Sequence, residues 1–259
     1  MEFDERGHLI RSSSALDAAA KSELIRPYSL VVVPARDRIV STNTSMHSDG
    51  DTRTVQLWRL SDLKLLRTLT LPPGPRGSEQ KFPGEPVLAA DGKTVLIHTF
   101  ACGLYELDGV ATDQPTVRHL KTFDGEQADV PLRIGHYWIQ SLSSVHALAT
   151  YDLSDLAHIR EVSRITFDEK QKPHWISADE DGRRIVVNSG EYGEHRLFIM
   201  NFDPQTGALA LDTRFRDAGS DRPGVSMDGK SWPHGFQGDA YPHGTVFSRP
   251  TTAARIASK

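Results

Sequence analysis

Two Pro-His-Gly triplets stand nine residues apart in "SWPHGFQGDAYPHGTVFSRP" (231–250), and a third Pro-His opens "KPHWISADEDG" at Pro173 and His174. Imidazole suits copper, iron and zinc, provided the ring is neutral and its other nitrogen is held by an acceptor. His234 and His243 therefore lead as candidate metal ligands, and His174 follows. The competing reading is structural. Proline fits the first residue of a strand, which need not donate to the ladder, and the following histidine would then bond a neighbouring carbonyl. Spacing alone does not show whether the imidazoles converge.

Other chemistries are poorly served. The single cysteine, Cys102, allows no intramolecular disulfide and no thiolate-rich metal site, and "HTFACGLYEL" reads as a strand pair around a small buried residue. "LPPGPRGSEQKFPGEP" has neither phosphate-loop spacing nor a following helix. No Gly-x-Ser-x-Gly elbow frames a hydrolytic serine. Asp179, Glu180 and Asp181 sit in a turn and read as solvated. His98 reads as a blade-core residue and His136 as packing at a strand start, while His8, His119, His158 and His195 fall in outer hairpins. Trp58, Trp138, Trp175 and Trp232 recur near blade edges and are expected to fill interblade space. No catalytic or organic-ligand residue is assigned.

The elements that must position the histidines are repeats. Alternating apolar stretches reach an apolar residue and an Asp or Ser, turn and resume, with the residue before the turn at Phe3, Leu60, Leu107, Leu153 and Phe202. "LSDL" recurs verbatim at 60–63 and 153–156. A second strand pair, often closed by Asp-Gly, precedes each of the last four hairpins; that dipeptide supplies the positive φ of a tight turn. Four antiparallel strands at a period near 45–55 residues indicate an all-β β-propeller, the class of WD40- and YVTN-type repeats. Complete blades are expected at about 27–71, 84–122, 128–167 and 172–216. Residues 2–12 supply an outer hairpin, 217–259 a loop, an inner strand at 242–248 and a tail, and helix is expected only around 14–24. The two ends either join as a shared fifth blade or belong to a longer propeller, the chain then being a truncated product. Open blade edges would favour self-association.

Composition narrows the partners. Net charge is −4 with 25% charged residues, and no Lys/Arg block suggests nucleic acid. No apolar run approaches the roughly 20 residues of a membrane span. "MEFDERGHLIRSSS" lacks the basic and apolar regions of a signal peptide, so a soluble chain in cytoplasm or periplasm fits equally.

From about residue 27 to 248 the chain resembles the C-terminal half of selenium-binding proteins, the family that includes methanethiol oxidases. The carrying stretches are "VQLWRLSDLKLLRTLTL", "HYWIQSLSSVHALATYDLSDLAHIREVSRITF" and "SADEDGRRIVVNSGEYGEHRLFIMNFDPQTGALALDTRFRD", followed by "RPGVSMDGKSWPHG". The resemblance implies a seven-bladed propeller in the full-length family and a histidine-ligated copper site. It also implies, in some members, oxidation of the small thiol methanethiol to formaldehyde, hydrogen sulfide and hydrogen peroxide. The family's adjacent histidine pair belongs to its N-terminal blades, and no His-His occurs here. Only a C-terminal ligand carries over, with His234 the better match and His243 its neighbour. The alternative is a non-catalytic propeller that binds a small molecule or a protein.

Overall fold

Alternation at a period of two gives strands with one apolar face, and short turns between them give antiparallel meanders. The computed structural model describes residues 1–46, 50–190 and 193–248. The chain divides into two compact units, Met1–Ala128 and Asp129–Lys259.

The first unit opens with a hairpin of β1 (Glu2–Phe3) and β2 (Leu9–Arg11). Its first sheet runs β3 (Pro27–Val33), β4 (Arg38–Asn43), β5 (Thr54–Arg59) and β6 (Leu65–Thr70), in that spatial order. The second runs β7 (Pro83–Leu88), β8 (Val95–Thr99), β9 (Gly103–Asp108) and β10 (Thr116–Thr122). Arg11 donates to the carbonyls of Ser61 and Leu60, tying the opening hairpin to the β5–β6 turn.

In the second unit, one sheet runs β11 (Pro131–Ile134), β12 (Tyr137–Leu142), β13 (Ala147–Asp152) and β14 (Arg160–Thr166). The other runs β15 (Pro173–Ala178), β16 (Arg184–Ser189), β17 (Arg196–Phe202) and β18 (Leu209–Leu211). The outer edge of β17 is shared, because β19 (Val225–Ser226) pairs with its first residues and β18 with its last. A small hairpin of β20 (Lys230–Ser231) and β21 (Gln237–Gly238) follows.

Each unit is held by one apolar cluster that joins its two sheets. Val33, Val40, Val55 and Leu57 meet Val95, Ile97, Tyr105 and Leu107 in the first unit. Tyr137, Ile139 and Leu148 meet Ile176, Val187, Phe198 and Met200 in the second. Each such side chain contributes about 1.5–3 kcal/mol of burial, which a single two-faced sheet would leave exposed. Turns follow the sequence signals: Gly92 and Gly182, after Asp91 and Asp181, adopt φ of +68° and +64°.

Proline begins the edge strand of all four sheets, at Pro27, Pro83, Pro131 and Pro173. In three of them the register slips by one residue immediately afterwards. Pro27 pairs with Asn43 but Leu30 with Ser41; Pro83 with Thr99 but Pro86 with Ile97; Pro173 with Ser189 but Trp175 with Asn188. Such a bulge leaves one residue unpaired and re-aims the side chains beside it. Tyr28, Glu85 and His174 lie in these three bulges.

Two sequence expectations need correction. Around 14–24 only a 3-10 turn forms, Ala18–Ala20, capped by Asp17; the run has no apolar stripe long enough to pay for a helix against the sheet. Residues 242–248 are not a ladder strand. Pro242 has no N–H to give, and the segment is held by side chains instead: Asn188 Nδ2 donates to the Pro242 carbonyl at 2.5 Å and Ser177 Oγ meets Thr245 Oγ1 at 2.8 Å. The expected tail at 249–259 lies outside the described residues.

The bulge in β7 depends on Gly84, where an added Cβ would fall 2.1 Å from His98 Nε2. Gly84→Ala is expected to cost about 1–3 kcal/mol by overpacking, measured by urea unfolding. In a His98→Ala background the same change should cost little; an undiminished penalty there would show that His98 is not the obstacle.

Candidate functional site

In the second unit, two of the three Pro-His histidines meet. His174 is the bulged residue of β15, and His243 is carried on the segment pinned by Asn188 and Ser177. Their Nε2 atoms are 3.3 Å apart and the ring centroids 5.0 Å. The other nitrogen of His174 faces Asp129, with Nδ1 3.4 Å from Oδ1, and the Asp129 side chain is 2% exposed. Asp129 is fixed by its backbone: its N–H donates to the Ser141 carbonyl at 2.8 Å, and the Asp129 carbonyl accepts from Gln140 Nε2. Val130 N–H in turn donates to the His174 carbonyl at 3.0 Å. A buried carboxylate facing Nδ1 favours the tautomer with its proton there, which leaves the Nε2 lone pair turned toward His243.

That spacing is long for a hydrogen bond. It would let both Nε2 atoms reach one ion held between His174 and His243. The pair therefore fits as two imidazole ligands of a copper or zinc ion. Among the described residues no group of three His, Cys, Asp or Glu side chains is arranged to hold a metal.

Aromatic and polar groups extend the cluster. Trp175 lies 6.1 Å and Tyr241 5.8 Å from the His243 ring. His195 lies 5.5 Å from the Tyr241 ring and bonds Asp228 through Nδ1 at 2.8 Å. Placing His195 in a solvated outer hairpin missed this, because β19 and the C-terminal segment bring Asp228 and Tyr241 back beside it. His234 is elsewhere. It occupies the exposed turn between β20 and β21, closed by Gly235 N–H to the Trp232 carbonyl at 2.9 Å, and its ring lies parallel to Phe236.

The first unit carries a second polar cluster, which the sequence reading did not assign. His98 on β8 is fully buried, and its Nε2 is 2.6 Å from Oε2 of Glu85 in the β7 bulge. Tyr28, in the β3 bulge, donates to the other oxygen of Glu85 at 3.1 Å, and both Tyr28 and His98 pack edge-on against Phe100. His98 Nδ1 is buried without a partner among the described residues. Burial pushes the Glu85 carboxyl upward, but the hydrogen bond and charge of His98 outweigh it and the net displacement is downward. Glu85 is thus a carboxylate held ionised, suited to gripping a cation or a hydroxyl rather than to taking a proton. The signal that could have found it is the polar residue in an otherwise apolar "VLIHTF" strand.

The remaining histidines behave simply. His8 and His158 are exposed and bonded to Asp4 and Asp155 at 3.0 and 2.8 Å. His136 is half exposed in the β11–β12 turn, over Tyr137. His119 is part-buried beside Thr122, and desolvation lowers its pKa. Cys102 is buried in a turn at φ +67°. Of the tryptophans, Trp138 is fully buried with its N–H on Gln140.

No protein-family model and no curated protein matches the chain. Solved structures do. A hypothetical selenium-binding protein from Sulfolobus tokodaii gives a TM-score of 0.57 at 15% identity, over 73% of this chain and 55% of that one. The periplasmic gluconolactonase of Pseudomonas aeruginosa gives 0.54 at 17%, over 71% and 52%. A putative 6-phosphogluconolactonase from Bacteroides fragilis gives 0.53 at 11%, over 73% and 54%. At these identities the likeness shows the fold, a β-propeller with four-stranded antiparallel blades. The chain spans about half the length of these structures. Among the described residues no helix is long and apolar enough to cross a membrane.

Because the Glu85 carboxyl titrates below its unfolded value, the unfolded chain binds more protons through that interval. The stabilisation is present above the ordinary glutamate range and is lost as pH falls through the lowered value. Urea unfolding from pH 7 downward should show Glu85→Gln losing less stability than wild type. Parallel acid limbs would show that the His98–Glu85 pair contributes nothing to stability.

Proposed function

We propose that this chain contributes a transition-metal site to a selenium-binding-protein-like β-propeller, with His174 and His243 as two of the ligands. The observation that carries the reading is the 3.3 Å approach of the two Nε2 atoms, with a buried carboxylate behind one of them. Copper is the first candidate, from imidazole preference and from the family resemblance. When bound, copper would supply a redox centre able to take electrons from the sulfur of a small thiol such as methanethiol.

The residues of this chain would then have separate tasks. Asp129, facing Nδ1 from 3.4 Å, favours the proton there and so keeps Nε2 available as a donor atom. The β15 bulge and the Asn188 and Ser177 contacts fix the distance between the two rings. Trp175 and Tyr241 offer aromatic surface beside His243 against which a small apolar thiol could rest. His234 has no part in the site.

A second reading, a non-catalytic propeller that binds a small molecule or a protein, is favoured by one observation. No third donor stands with the imidazole pair among the described residues.

Calorimetric titration with Cu(II) and Zn(II) tests the proposal. Wild type and His234→Ala should bind one equivalent, while His174→Ala and His243→Ala lose it. Asp129→Asn should weaken binding about 10–100-fold, the usual effect of removing a carboxylate behind a ligating histidine. Weak, non-stoichiometric uptake shared by all five proteins would sink the metal reading and leave the binding module.

A further inference from the structure

Three arginines on one face of the first sheet are unexplained by either cluster. Arg38 on β4 stands directly opposite Arg59 on β5, and Arg67 on β6 stands opposite Leu57, two residues along the same face. Like charges facing each other across a ladder are destabilising, so the arrangement works against the sheet that carries it.

Its compensation is uneven. Arg59 is neutralised by Asp62 through two hydrogen bonds, Nε to Oδ1 at 2.9 Å and Nη2 to Oδ2 at 2.8 Å. Arg38 has no carboxylate partner among the described residues. Its Nε donates to the Val110 carbonyl and its Nη1 to the Asp37 carbonyl, each at 3.0 Å, so the fork is held in place with its charge uncompensated. The Arg67 side chain has neither a hydrogen bond nor an ion pair among the described residues.

The three side chains line a cavity of about 410 Å³ together with Leu57 and Leu66 of the same sheet. Thr112 and Pro115, from the β9–β10 turn, complete it, and Asp113 is the single carboxylate on the lining. That volume lies in the range of small-molecule sites, about 300–1,000 Å³, and exceeds what a bare anion fills. Planar guanidinium forks match the oxygens of a phosphate two at a time.

We propose that this cavity binds a small phosphomonoester, with Arg38 and Arg67 on the phosphate and Leu66 and Pro115 against the organic group. The site does not depend on the metal reading, and either can fail alone.

Titration calorimetry with phenyl phosphate, inorganic phosphate, benzoate and phenol tests it. Phenyl phosphate should bind wild type one to one, more tightly than inorganic phosphate and with affinity falling as salt rises. Arg67→Gln, at an exposed position, should weaken it about tenfold or more, as loss of one charged hydrogen-bonding group does. Arg38→Gln should do the same, and Arg214→Gln, a side chain 88% exposed on the other unit, should leave it unchanged. Equal affinity across wild type and all three variants, or benzoate or phenol binding as tightly as phenyl phosphate, would overturn the proposal.

Discussion

A proline that begins an edge strand, followed at once by a one-residue bulge, is the constraint on which the polar sites depend. The proline removes one backbone donor where the ladder starts, and the bulge lets the strand carry one more residue than its partner. The residues opposite the bulges on the second strands are Thr42, His98 and Asn188, and all three are buried and polar. A regular ladder would point these strands' side chains alternately into the core and away from it. The bulge breaks that alternation at one end of each sheet without disturbing the apolar register that follows.

The same device serves different chemistry in the two units. In β7 the bulge brings Glu85 onto a buried imidazole, and Tyr28 of the β3 bulge closes on the same carboxylate. In β15 it offers His174 to a histidine that arrives from far along the chain. Both clusters pair an imidazole with a carboxylate, but the less buried partner differs. Glu85 is a carboxylate met by a histidine, whereas His174 is an imidazole backed by an aspartate. The first places a carboxylate beside a hydroxyl and an imidazole, and the second places two imidazoles side by side.

The repeat was legible in the sequence because period-two alternation and Asp-Gly turns are local signals. The recurrence of "LSDL" in the β5–β6 and β13–β14 turns follows from equivalent places in two sheets. Proline before His174 was legible as a strand start for the same reason. The convergence of His174 with His243 was not, because it rests on Asn188 and Ser177 holding a segment more than fifty residues away, a tertiary fact with no local mark. Extending strand character to 242–248 from "GTVFS" failed where side-chain contacts, rather than backbone pairing, decided the path. His234 and His243 share the same triplet, yet a tight hairpin holds one at an exposed turn and a side-chain clasp holds the other over β15. Identical local sequence therefore carried no information about which would meet a partner.

His174 and His243 face each other through Nε2, and the proposed metal site requires the proton of His174 to sit on Nδ1, toward Asp129. Long-range proton–nitrogen NMR of the imidazoles in the metal-free protein reads both parts at once. The expected result is a protonated Nδ1 on His174 and an Nε2 resonance that moves when His243 is replaced by alanine. Asp129→Asn should change the tautomer balance of His174 while leaving His234 unchanged. A His174 ring protonated on Nε2, with resonances identical in wild type and His243→Ala, would contradict that arrangement.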